Sequence, residues 1–492
     1  MKLLPVLTGL VLALPLLAGC MSTPSTPTTT GAMGVTNLPA VPPSTVFHLA
    51  SGKALDLSLL TGNNTPLRAV GGYNGIGTNT FEPSIGVTKS GAIFMASLKR
   101  NINPTAGQVD EGTHVIRGTD GGKTWKDMGP FLGPTQNTQT VNSNDPFIYV
   151  DPWTDRVIDF DMCGTLSAFC ESYSDDDGAT WHVNSIVTGE STALDHQSVA
   201  AAPAGERATT VGYPNVLVFC VNRGSGQAGS FCSTSRDGGI AWTPLLPGYP
   251  VGTAQCSGLS AHVHGAPDGR FYRGNPSCSG PAVYRSDDAG VTWSEHTIPA
   301  PNGVSGHDVE TAIDASNQVH AFWIGKDGLP YEASSKDYGS TWTAARMVAP
   351  PGVTETGFPT IAAGANGRIA FAYIGSNVTG GYKSEQKDAN WTGYLGVMTD
   401  AFSADPLITT VAINDVRTDP LSHGACGNVR CGGFGDFIGI DIDPQGRPWV
   451  AMANNLHRSA GIVGTLLEGP SLRGDTITPL PAITLGGPAS LK

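Results

Sequence analysis

Seven short segments of this 492-residue chain each end in a hairpin-type turn, at Gly91, Asp155, Gly205, Gly269, Asn317, Gly367 and Gly446. Nine or ten residues before those turns stand Glu82, Asp145, Asp195 with His196, Ser260, Asp308, Phe358 and Asp436. Five of the seven positions hold carboxylates, and His262 and His307 lie close by. Carboxylates brought to one place can divide acid and base roles at a glycosidic bond. We therefore take Asp195, Glu82 and Asp308 as acid/base candidates, with His196 and His262 positioning or polarising, and Asp145 and Asp436 as ligand contacts. Crowded carboxylates also repel, so some should titrate high or a divalent cation should sit among them. No cofactor is otherwise required.

The same segments continue into second strands whose following loops carry Arg100, Arg223, Arg273 and Arg458, with Lys326 in the fifth. These are the candidates for clamping an anionic ligand. The competing account is that Asp or Glu before a strand only caps backbone N–H groups. That account fits Asp145, Asp308 and Asp436 as well as a site does. It fits Asp195-His196-Gln197 less well, because three adjacent polar side chains exceed what capping needs. His262 and His264 alternate along one strand and so face the same way.

What would bring these positions together is a repeat. Ser-x-Asp-x-Gly-x-Thr-Trp occurs in full at Ser174–Trp181, Ser286–Trp293 and Ser335–Trp342. Two variants carry Gly118 in place of the serine and Ala241 in place of the threonine. Each copy reads as a tight turn, with the aspartate on its own backbone, the glycine in a left-handed conformation and the tryptophan filling a gap between units. A group repeated around a fold cannot sit repeatedly at one centre, so these aspartates are structural. With the segments above they give seven four-stranded units, the pattern of an all-β, seven-bladed β-propeller, with six blades as the alternative. The outer strands of blades six and seven are expected at Val397–Ala401 and Gly461–Leu467. The ring-closing strand is expected from Val46–Leu60 or Thr476–Leu485.

Composition agrees with many turns: 64 glycines, 36 prolines and only 14% charged residues. The net charge of -13 offers no basic surface for nucleic acid. Residues 1–19 read as a lipoprotein signal peptide ending in Leu17-Ala18-Gly19-Cys20, with Cys20 the lipidation site. Residues 20–44 form a Ser/Thr/Pro-rich tether and residues 45–492 the propeller. The protein is thus expected outside the cytoplasm, held to a bacterial membrane by its lipid. The other eight cysteines fall into neighbours, Cys163 with Cys170, Cys220 with Cys232, Cys256 with Cys278 and Cys426 with Cys431, as in an exported disulfide protein. Oligomeric state is not legible.

The boxes resemble those of Asp-box, or BNR-repeat, proteins, and the arrangement resembles the sialidase superfamily over about residues 70–470. That resemblance implies a propeller that acts on or binds glycans, as an exo-glycosidase or as a non-catalytic surface module for protein or polysaccharide. In the enzymes of that superfamily three arginines clamp a sugar carboxylate, a Tyr/Glu pair is the nucleophile and an aspartate is the acid/base. This chain departs from the pattern. Glu82-Pro83 stands where the first arginine would be sought, and Tyr331-Glu332, being adjacent, point to opposite faces of a strand.

Overall fold

The computed structural model describes residues 44–48, 69–80, 82–100, 111–129, 147–163, 168–189, 194–223, 229–253, 259–277, 279–305, 308–378, 389–423, 435–457, 460–474 and 476–480. These form seven antiparallel sheets arranged as a β-propeller, which removes the six-bladed alternative. Blades one to five each run through four consecutive strands. Their innermost strands are Ile85–Val87, Phe147–Val150, Leu194–Pro203, Val263–Gly265 and Val309–Ile313. Those of blades six and seven are Glu355–Ala363 and Gly439–Ile442. Each innermost strand lies beside the next, and the seventh lies beside the first, so the ring closes.

Closure is made by Val70–Asn79, which pairs with Ala460–Glu468 as the outer strand of blade seven. Among the described residues, neither expected segment does this. Ser44–His48 instead extends the outer edge of blade six by pairing with Leu407–Ala412, and Thr476 makes only a single bridge to Pro470. Val397 and Gly461–Leu467 belong to third strands, Asn390–Met398 and Ala460–Glu468. Blade six therefore has its outer strand at Leu407–Ala412, beyond the expected one.

Side chains stitch the ring across its seams. Ile148 N donates to Ser84 Oγ at 2.7 Å, Ala201 N to Tyr149 Oη at 3.0 Å and Val263 N to Ser198 Oγ at 3.0 Å. Gly367 N donates to Asp314 Oδ2 at 2.8 Å, and Val87 N to Asp441 Oδ2 at 2.7 Å across the closing seam. Between blades the core is aromatic and aliphatic. Phe160 stacks on Phe219 at 5.0 Å, and Phe322 packs on Phe371 at 5.1 Å. Each fully buried ring of this kind contributes about 1.5–3 kcal/mol.

The box turns spend their aspartates locally. In the second blade, Asp176 Oδ1 accepts from Thr180 N at 2.8 Å, Oδ2 accepts from Thr180 Oγ1 at 2.7 Å, and Ser174 Oγ accepts from Gly178 N at 2.8 Å. The backbone N–H and hydroxyl of Thr180 and the Ser174 hydroxyl hold the Asp176 carboxyl down at about 2. The boxes at Asp288 and Asp337 repeat the same bonds. The tryptophans reach the preceding blade: Trp181 Nε1 donates to Met128 O, and Trp242 Nε1 to Glu171 Oε2, both at 2.8 Å. Cys220 and Cys232 face each other across neighbouring strands and are disulfide-bonded, and Cys170 is disulfide-bonded as well. The side chain of Cys163, and Cys20, Cys256, Cys278, Cys426 and Cys431, lie outside the described residues.

Candidate functional site at the channel end

Where the inner strands begin, the backbone breaks its own rules. Glu82, His196 and Phe358 have φ of 54°, 56° and 56°, a left-handed conformation that non-glycine residues seldom adopt. All three stand nine residues before their turns, so one strained position recurs in blades one, three and six. In blades three and six it coincides with a slip of strand register, between Asp195 and Ser198 and between Gly357 and Thr360. Such bulges re-aim side chains. The Phe358 ring goes into the core between blades six and seven.

The other two polar side chains turn into a buried cluster. Glu82 Oε1 accepts from Asp436 N at 2.9 Å, which ties blade one to blade seven. Gly435, at φ +79°, makes room for this contact: a Cβ there would come within 2.0 Å of Glu82 Cγ. His196 Nδ1 lies 2.7 Å from the carbonyl oxygen of Ser260, and since a carbonyl can only accept, the proton is on Nδ1. Its Nε2 faces Asp308 Oδ2 at 3.6 Å.

His262 lies face to face with His196, ring centroids 5.1 Å apart and planes at 10°. The Phe437 ring meets both edge-on, at 5.2 Å and 4.6 Å, and Phe147 tilts against His262 at 5.1 Å. Behind His262, Glu310 Oε1 lies 3.1 Å from Nδ1, and Oε2 lies 3.6 Å from His264 Nε2. Burial alone would raise the Glu310 carboxyl, but the charges and N–H donors of His262 and His264 outweigh it and hold the group below the usual carboxylate range. Gln197 is fully buried, and among the described residues neither of its amide atoms has a hydrogen-bond partner.

This cluster closes one end of a channel cavity of about 480 Å³ whose lining includes His262, Glu310 and Phe437. Farther along the channel Asp441 accepts from Val87 N and Ile442 N, and burial pushes its carboxyl up to about 6. Among the described residues no three His, Cys, Asp or Glu side chains stand together as a metal site.

Of the residues singled out from the sequence, Glu82, His196, His262, Asp308 and Asp436 are linked directly or through Phe437. Asp195 is on the bulged strand beside His196, buried opposite Asn222. Of the candidate arginines, the side chains of Arg223 and Arg273 are described, and each has partners of its own. Arg273 is fully buried away from the channel, donating to Gly248 O beneath the rings of Tyr284 and Trp293, and burial drops it to about 10. It is a core residue of the blade three to blade four junction, because alternate residues of a second strand point into that seam. Arg223 stacks on Phe231 at 3.8 Å. Asp145, Arg458 and the Arg100 side chain lie outside the described residues. Glu310 was missed from sequence, although it stands two residues beyond Asp308 and so on the same strand face.

The chain is a seven-bladed propeller with a buried carboxylate and imidazole cluster at one channel end. No family model matches it, and no curated protein does. Solved structures of similar fold include an alpha-L-arabinanase of Penicillium chrysogenum complexed with arabinobiose, 15% identical over 81% of this chain and 97% of that one, TM-score 0.43. Another is the alpha-L-arabinofuranosidase of Fusarium graminearum with arabinobiose, 12% identical over 81% and 96%, TM-score 0.42. The NanB sialidase of Streptococcus pneumoniae is 13% identical over 84% and 73%, TM-score 0.39. These likenesses concern the fold and assign no residue a role.

Proposed function

We propose that the protein binds a glycan at the channel end where the inner strands begin and hydrolyses a glycosidic bond there. The observation that carries this reading is the cluster itself: carboxylates and imidazoles from blades one, three, four, five and seven meet at one cavity end beside an aromatic ring. Carboxylates and imidazoles supply proton transfer and hydrogen bonds to hydroxyls, and a ring such as Phe437 offers a flat apolar face for the C–H side of a sugar. Asp195, Glu82 and Asp308 are the acid/base candidates, with His196 positioned beside Asp308. We take the sugar to be neutral, because the two candidate clamps whose side chains are described have partners elsewhere, Arg273 in the core and Arg223 on Phe231, and Arg473 lines the cavity farther along, near Asp441.

We further propose that this activity lies outside the cytoplasm, with the chain held to a membrane by acylation of Cys20. The Cys220–Cys232 disulfide supports an oxidising compartment. The full-length protein in detergent, incubated with a panel of neutral glycosides and sialosides, tests the reading. Turnover of neutral glycosides is expected. Glycan binding without turnover makes the protein a surface binding module, and neither binding nor turnover overturns the glycan reading.

A further inference from the structure

The acid/base candidates Asp195, Glu82 and Asp308, and His196 beside them, do not line the channel cavity, whereas His262 and Glu310 do. His262 is over nine-tenths buried, yet its Nε2 has no hydrogen-bond partner among the described residues. The other ring nitrogen is committed, because Nδ1 lies 3.1 Å from Glu310 Oε1. A carboxylate that accepts the Nδ1 proton fixes the tautomer and the ring orientation, and leaves Nε2 as the atom that gains and loses protons. Phe147 on one side and the stacked His196 on another hold the ring plane. The backbone N–H of His262 also points at Glu310 Oε1, at 3.4 Å. A buried imidazole so oriented, with its second nitrogen unspent and its side chain on a cavity wall, is arranged as a general acid/base.

We propose that His262 is the catalytic proton-transfer residue of the channel site, with Glu310 as its positioning residue. This rests on the glycan reading above and deepens it. The His262 imidazolium gives its Nε2 proton to the glycosidic oxygen as the bond from the anomeric carbon to that oxygen breaks, and the bonding pair leaves on the oxygen. Water then bonds to the anomeric carbon, and the proton it sheds returns to Nε2. One water is consumed, two hydroxyls are produced and His262 ends as it began. The ionised or ionisable groups facing this ring are Glu310, His196 and, through His196, Asp308, with His264 on the far carboxylate oxygen.

The test uses the full-length protein in detergent. His262→Ala should lower kcat on a cleaved glycoside by about 10²–10⁴-fold with KM little changed, and added imidazole should restore part of the rate. Glu310→Gln should lower kcat less and displace the pH profile, and Glu310→Asp should recover part of the loss. Retention of kcat within about threefold by a folded His262→Ala protein, on the scale where proton transfer is worth 10² or more, overturns the assignment and leaves the glycan reading standing. Nitrogen-15 correlation spectra of the histidines test the assignment even if a variant misfolds. At high pH neutral His262 should carry its proton on Nδ1, and a proton on Nε2 there overturns the proposal. Absence of turnover together with the expected tautomer discards the hydrolytic reading and the catalytic role with it, while retaining the oriented dyad.

Discussion

The chain uses aspartate in two regions in opposite ways. In the box turns the carboxylates are exposed or half-buried, near-identical from blade to blade, and spent on backbone and threonine donors within four residues. At the channel end they are buried, differ from blade to blade, and meet partners from other blades: Glu82 with Asp436 N, Asp308 with His196, Glu310 with His262 and His264. Repetition around the ring marks groups that build it. Departure from repetition at an equivalent position marks groups that the ring brings together. The strained backbone at Glu82 and His196 belongs to the second kind, since a repeat-wide role would not need it in only some blades.

The sharpest way to break this contrast is at the channel end. Glu82→Gln keeps an oxygen to accept from Asp436 N while changing the buried cluster behind His262, so turnover should fall, by less than in His262→Ala, with little change in melting temperature. Equal rates for the variant and the wild-type protein would put Glu82 among the caps. Gly435→Ala attacks the same contact from the other side. Its left-handed φ and the collision of a Cβ with Glu82 should cost about 2–4 kcal/mol in urea unfolding.

A smaller effect is expected in the boxes. Asp288→Ala removes the acceptor for Thr292 N and Thr292 Oγ1 and should cost about 1 kcal/mol with activity unchanged. Asp237→Ala should cost less, because Ala241 supplies only its N–H to that box. Activity loss at either box would blur the division between building and functional aspartates.

The pH dependence of stability sharpens it further. Burial in the blade two to blade three seam pushes the Glu171 carboxyl up to about 8, against the Trp242 N–H that it accepts. The folded state therefore binds this proton more tightly than the unfolded chain does. Its contribution is fully present below the ordinary carboxylate range, near 4.5, and is lost as pH rises toward about 8. Glu171→Gln should flatten the fall in melting temperature across that window. An unchanged slope would mean that other groups set it.

Much of this was legible in the residues. Box spacing and the seven Asp/Gly turns give the blade count, and counting back from each turn finds Glu82, His196, Asp308 and Asp436. The closing strand was not legible. Val70–Asn79 (VGGYNGIGTN) lacks apolar alternation because its glycines are needed for close approach: a Cβ on Gly71 would meet Ala412 O at 2.6 Å. Arg273 was misplaced because sequence gives a residue's position along a strand, and here the side chain turned into the seam. Glu310 was overlooked because the first residue of the strand drew attention from its neighbour two positions on.

A crystal structure of the full-length protein with a bound neutral oligosaccharide would locate the sugar itself. A sugar ring is expected at the channel end, against Phe437 and within hydrogen-bond reach of His262 Nε2. A sugar seated on the box turns or blade sides, with the channel end empty, would contradict it.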